Sequence, residues 1–228
     1  MLNKKFALQA LAAAALTVSA GASHAVLITY NTLASFNAAT VLQGTDGFAG
    51  LSVTGTTPSP INRTTGGSNG PGAVYGYTAA ASGGVFFGAN TTADPWLSSN
   101  LTNDLITFSN FTSFPASGIK AIGGNFFGSD INGLFAAGDV TLSVIETVGG
   151  LAQPAVNFTI TGATLSSFRG FQSNGGVITS LTVAAVQAAS PLWPTIDNLV
   201  LAVPEPGTYA LMLAGLAAVG AAARRRKA

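Results

Sequence analysis

The chain predicts an all-β fold, a single β-sandwich domain. Short apolar runs recur along it, separated by clusters of Gly, Asn, Ser and Thr, the pattern of many short strands joined by turns. Only 7% of the residues are charged against 48% hydrophobic, and Phe, Val, Ile and Leu fall at strand spacing, which argues against a disordered polymer. The two ends break this pattern and divide the chain. Residues 1–25 read as a leader, 26–202 as one domain long enough for its own core, and 203–228 as a separate tail.

The front end has the plan of a signal peptide. Lys4 and Lys5 supply a positive start, Phe6 to Val18 an apolar stretch, and Ser23-His24-Ala25 a small-x-small site, so cleavage is expected between Ala25 and Val26. The apolar stretch is short and ends in small residues, unlike a first membrane helix. Secretion translocon and signal peptidase are the partners this implies. Once leader and tail are set aside, Arg63, Lys120 and Arg169 stand against seven acids, a net charge near −4, although the whole chain is formally +1. No basic patch remains for a nucleic acid. Cysteine is absent and the single histidine, His24, lies in the leader. A mature domain without His or Cys has no Ser-His-Asp or Cys-His catalysis and no ordinary zinc site.

Along the body, Val26 to Tyr30 reads as a first strand. Thr32 to Thr40, with Leu33, Phe36 and Ala39 at helical spacing, reads as a short helix that Thr32 can cap. Phe48 to Thr54 is expected as a strand. Pro58, Pro60, Gly66, Gly67, Gly70 and Pro71 mark residues 56–72 as an exposed loop. Strand character resumes over 73–77 and 84–88. Residues 90–103 read as a loop holding Trp96, and 104–110 as a strand of alternating residues. Further strands are expected within 118–130, 139–147, 156–160, 165–172, 177–186 and 193–201. In the pairs Phe86-Phe87 and Phe126-Phe127, one ring should face the core and the other outward or into a second layer.

Candidate sites are few. Asp197, beside Asn198, and Asp130, in a Gly-rich turn, are possible oxygen donors to calcium. Asp197 reads more readily as a backbone brace, since calcium needs six to eight oxygens and no D-x-D-x-D run is present. Asp139 reads as a turn residue. Trp96, Trp193, Tyr75 and Tyr77 are candidate platforms for a sugar ring, or else core and rim aromatics. A glycosidase needs two close carboxylates, whereas six of the seven body acids are scattered Asp and Glu146 is the lone Glu. The single Thr-x-Thr, Thr54-Gly55-Thr56, is too little for an ice-binding array.

The tail carries the most specific signal. Pro204-Glu205-Pro206 forms a stiff break. An apolar run over 207–223 follows, and at 1.5 Å per residue it gives a helix of roughly 25 Å, just short of the hydrocarbon core. Arg224, Arg225, Arg226 and Lys227 then hold the end on the cytoplasmic side. These three parts in this order resemble the PEP-CTERM sorting signal of Gram-negative bacteria. That resemblance implies a membrane helix over 207–223 and processing near the motif by an exosortase, a membrane enzyme. It further implies transient anchoring in the inner membrane and delivery to the cell surface or exopolysaccharide matrix. The same tail is sometimes labelled as an ice-binding protein C-terminal region, which implies no ice binding. The strand pattern over about 118–202 in turn resembles the jelly-roll sandwich found in many PEP-CTERM proteins and in some carbohydrate-binding modules. The sequence therefore points to a non-enzymatic surface or matrix protein without a cofactor, or to a calcium-assisted carbohydrate-binding module.

Overall fold

The computed structural model describes residues 26–66, 74–114, 118–187 and 190–204. The expected leader and, in the tail, Glu205, Pro206, the apolar run and Arg224 to Lys227 lie outside the described residues. In chain order the elements are β1 (Val26–Tyr30), α1 (Leu33–Ala39), β2 (Thr40–Asp46), β3 (Thr56–Pro58), β4 (Ile61–Gly66), β5 (Val74–Ala81), β6 (Val85–Thr91), β7 (Asp94–Ser99), β8 (Ile106–Phe114), β9 (Ala121–Ser129), β10 (Phe135–Ala136), β11 (Gly138–Val148), β12 (Leu151–Ala152), β13 (Val156–Ala163), β14 (Phe168–Asn174), β15 (Val177–Ala185) and β16 (Trp193–Pro204). No helix among the described residues is long and apolar enough to cross a membrane.

The strands form two antiparallel sheets. Sheet A runs β1-β14-β9-β16-β7-β6-β3, with β10 added on β9 and β2 on β16. Sheet B runs β12-β11-β15-β8-β5-β4, with β13 added on β11. Their facing sides interdigitate through one apolar core that includes Ile122, Phe126 and Ile196 from sheet A and Phe108, Leu142 and Leu181 from sheet B. In β11 the alternation is plain: Val140, Leu142 and Val144 are buried while Thr141, Ser143 and Ile145 are only partly covered. The all-β sandwich is what the sequence predicts.

A second, smaller core lies on the outer side of sheet A. The helix α1 is capped by Thr32, whose Oγ1 accepts from the Ser35 amide at 3.1 Å. It lays Phe36 on Ala121, Phe168, Val200 and Ala202. Gly170 makes room for that ring, because a Cβ there would stand 2.4 Å from Phe36 Cδ2.

Several segments differ from the sequence reading, each for a physical reason. Residues 48–54 are not a strand; the strand precedes them, as β2. Phe48 has a φ of 56° and its amide donates to Asp46 Oδ1 at 2.7 Å, so the chain turns there. Phe48 and Leu51 then plug the core from a turn. The loop expected over 56–72 contains β3 and β4. Pro58 is tolerated because β3 is the edge of sheet A. The loop expected over 90–103 is largely the hairpin β6–β7, closed at Thr91↔Asp94. In β7 the residues from Pro95 to Ser99 are all buried, so no polar alternation marks it. β8 starts at Ile106 rather than 104, since Asp104 is spent bracing a turn. β14 starts at Phe168 because residues 164–167 form a turn. Phe126 and Phe127 are both fully buried, whereas Phe86 is buried and Phe87 only partly so.

One ion pair ties the two sheets at an edge. Asp46, at the end of β2 in sheet A, receives Arg63 Nε at 2.6 Å and Nη2 at 2.7 Å, both from β4 of sheet B. Tyr77 on β5 donates its hydroxyl to the same carboxylate at 2.8 Å. Burial alone would raise the Asp46 carboxyl. The bonds from Arg63 and Tyr77, the Arg63 charge and the Phe48 amide outweigh it and hold it below the usual carboxylate range. Asp46→Ala strands the half-covered Arg63 charge and should destabilise the fold by about 3 kcal/mol in denaturant titrations. Because the folded pKa is lowered, this contribution is present above about pH 4 and is lost as pH falls through the folded value. An Asp46→Ala deficit that stayed constant down to pH 2 would refute the assignment.

Candidate functional site

The central strands of sheet A end together in a cleft. Ser129 closes β9, Trp193 opens β16, and the two are directly paired. Next to them β7 brings Ser98 opposite Thr195. The cleft above this corner has a volume of about 380 Å³, within the range of small-molecule sites.

Two buried serines, Ser98 and Ser129, floor the cleft, and Thr195 stands behind them. Thr195 Oγ1 lies 2.8 Å from Ser129 Oγ and 3.0 Å from Ser98 Oγ, and the two serines are 3.1 Å apart. One arrangement satisfies all three: Thr195 donates to Ser129, Ser129 to Ser98, and Ser98 to the Pro194 carbonyl at 3.2 Å.

Both walls are braced. On one side Trp193 Nε1–H donates to the Asn100 carbonyl at 3.1 Å. The turn carrying Asn100 and Leu101 is tied by Asp104, whose Oδ2 accepts the Leu101 amide at 3.1 Å. Gln187 Nε2 donates to the Thr102 carbonyl at 2.6 Å and to the Leu192 carbonyl at 2.8 Å, so the turn is joined to the start of β16. On the other side Asp130 Oδ1 accepts the amides of Asn132 and Leu134 at 2.8 and 2.9 Å. That loop docks on β6 through the Asn90 amide and the Gly133 carbonyl at 2.8 Å. Gly133 is required there: its φ is 73° and a Cβ would stand 3.0 Å from Ala89 Cα.

The structure thus brings Asp130 and Trp193 together and leaves the other candidates elsewhere. Trp96 is 7% exposed and packs edge-on against Phe127 at 4.9 Å, so it has no open face for a ligand and is a core residue. Tyr75 and Tyr77 are likewise buried. Asp197 pairs with Asn125, four positions along β9 from Ser129, and its carboxylate accepts the Asn198 amide and side chain, each at 2.7 Å. Asp139 Oδ1 braces the Gly162 amide at 2.8 Å. Among the described residues no three His, Cys, Asp or Glu side chains are grouped to hold a metal ion. The sequence reading missed the hydroxyl floor. Its only signal was Ser98-Ser99 after Trp96-Leu97, in a stretch read as a loop.

At the opposite end of sheet A, Ala202, Val203 and Pro204 still belong to β16; Val203 pairs with Val41 and Pro204 with Thr40 of β2. Residues 202–227 match the PEP-CTERM protein-sorting motif. The chain carries a PEP-CTERM sorting signal. The motif marks the protein for export, membrane transit and exosortase-type processing. No curated protein matches the chain. Among solved structures, the family 11 carbohydrate-binding module from Clostridium thermocellum, in complex with a β-1,3-1,4-mixed-linked tetrasaccharide, is similar over 72% of this chain and 97% of its own. The identity is 13% and the TM-score 0.32, a likeness too loose to carry a functional argument.

Asp197 makes a separate prediction. Burial pushes its carboxyl up to about 6, with the Asp94 charge adding to the rise and the Asn198 amide opposing it. A raised folded pKa means the charged form costs stability at neutral pH, and stability grows as pH falls through about 6 toward 4. The carboxyl keeps solvent contact, which discounts the effect to roughly 1 kcal/mol. Asp197→Asn should melt about 2 °C higher than wild type at pH 7.5. That gap should narrow as pH falls below 6 and close near pH 4, where the unfolded carboxyl also protonates; a gap that persists below pH 4 would assign the gain to another cause.

Proposed function

We propose that this chain is a secreted protein of the cell surface or exopolysaccharide matrix of a Gram-negative bacterium, delivered by an exosortase-type system and without catalytic activity of its own. The observation that carries the reading is the sorting motif and its junction with the fold. The motif begins inside β16, at Ala202, and only Glu205 and Pro206 separate the last ladder residue from the apolar run at Gly207. A domain joined so directly to its tail would be held close against the membrane until the tail is cut.

The front end supports the same topology. Val26, the residue expected after signal-peptidase cleavage, is paired in β1 with Asn174. β14 pairs Gln172 with Ala121, and Ala121 pairs with Ala202. Both junctions therefore leave sheet A at one end. Translocon and signal peptidase would act there first, and the exosortase-like enzyme next.

The basic end is the testable part of the address. Replacing Arg224, Arg225, Arg226 and Lys227 by Glu removes the charge that fixes the cytoplasmic end. The variant should be retained or misrouted, with at least about a tenfold drop of protein in the surface and matrix fractions, since all four positive charges that set the orientation are lost. Normal delivery of that variant would sink the sorting argument. Intact mass of the wild-type protein from those fractions should show a chain starting at Val26 and lacking the 207–228 segment.

A further inference from the structure

The chemistry of the cleft narrows what it can take. Among the described residues its only charge is Asp130 and no Lys or Arg lines it, so a phosphate or an acidic sugar would meet repulsion without compensation. One carboxylate with an oxygen already engaged falls far short of the six to eight oxygens of a calcium site. A wholly apolar ligand fits poorly, because hydroxyls floor the cleft and Asp130 Oδ2 has no partner among the described residues. What remains is a neutral molecule with an apolar face and many hydroxyls.

We propose that the cleft binds a neutral sugar unit of a polysaccharide, with Trp193 as its apolar platform and Asp130 as the acceptor for its hydroxyls. Trp193 is half-buried and held by its N–H to Asn100, so little side-chain entropy is lost when a ring lies against it. Leu101, 50% exposed, and Ile131, 74% exposed, stand at the mouth and cover the other apolar positions of the ring. The walls are fixed by Asp104, Gln187 and the Asp130 turn before any ligand arrives. The cleft also lies at the end of sheet A opposite to Pro204, separated from it along β16 by roughly 36 Å at 3.3 Å per residue. It would therefore face away from the membrane that holds the tail. This inference rests on the matrix reading for the source of the polymer, though not for the chemistry.

The experiment is affinity electrophoresis of protein collected from producing cells, in gels containing a neutral glucan, a neutral galactomannan, the cells' own exopolysaccharide, or polygalacturonate. At least one neutral polymer or the native exopolysaccharide should retard the protein, and polygalacturonate should not. Retardation by the native material alone would identify the source as the matrix. Trp193→Ala should weaken the interaction about tenfold. Because Trp193→Ala can also loosen the fold, Ile131→Asp serves as a second variant. Its side chain is largely in solvent, so the melting temperature should stay unchanged while binding falls by a similar factor. Leu151→Asp, on an equally exposed site at the other end of the sandwich, should bind like wild type. The proposal is overturned if no neutral polymer or native exopolysaccharide retards wild type, if polygalacturonate retards it best, or if Ile131→Asp and Leu151→Asp bind alike. Surface delivery is scored on the same variants, and a variant delivered normally yet not retarded separates failure of sugar binding from failure of sorting.

Discussion

The Asp46–Arg63 pair is the constraint on which the edge of the sandwich depends. Away from this edge the facing sides of the sheets meet through apolar side chains, and apolar attraction has no direction. It does not say which residue of β2 should stand over which residue of β4. A carboxylate that accepts two N–H groups of one guanidinium, a tyrosine hydroxyl and a backbone amide does say so. Burying such a pair contributes little net stability, because desolvation consumes most of the attraction. Its effect is on register. Thr65 Oγ1 adds a bond to the Thr45 carbonyl at 3.0 Å beside it, so the seam is pinned at two adjacent positions. The consequence runs further, since β2 is also the strand that pairs with the last residues of β16. The clamp that sets the sheet edge thus fixes the place from which the sorting motif leaves the fold.

What the sequence made legible follows from how each strand is buried. β11 has one face in the core and one toward solvent, so Val140, Leu142 and Val144 announce it by alternation. β7 is covered on both faces, and Asp94-Pro95-Trp96-Leu97-Ser98-Ser99 shows no period at all. β3 and β4 are punctuated by Pro and Gly, which are signals of a loop everywhere except at a sheet edge. Phe48 misled for another reason: a large apolar residue at positive φ reaches the core from a turn.

The site was legible only in pieces. Asp130 and Trp193 stood out singly, 63 positions apart, and nothing local linked them. The link is the antiparallel pairing of β9 with β16, which places Ser129 opposite Trp193. Such pairing is set by the whole sheet and leaves no trace in a short window. The two tryptophans show the same limit. Both lie next to proline, yet Phe127 buries Trp96 and no ring covers Trp193 in that way. The pair Phe126-Phe127 has both rings buried because sheet A is covered on its outer side as well: Phe135 packs at 6.1 Å from Phe127.

The strand β16 joins the proposed binding cleft to the sorting motif. Its first residue lines the cleft and its last three belong to the sorting motif. A flexible tether would let a domain present any face to its surroundings. Here the chain passes from a hydrogen-bonded ladder to the apolar run through Glu205 and Pro206 alone, and proline narrows the conformations open to that junction. With the tail anchored as proposed, the direction of β16 would bias how the domain stands on a membrane, with the cleft outward and the Val26 and Pro204 junctions inward. Polarity of this kind needs no further contact with lipid. It follows from placing the address at the end of a central strand rather than after a linker.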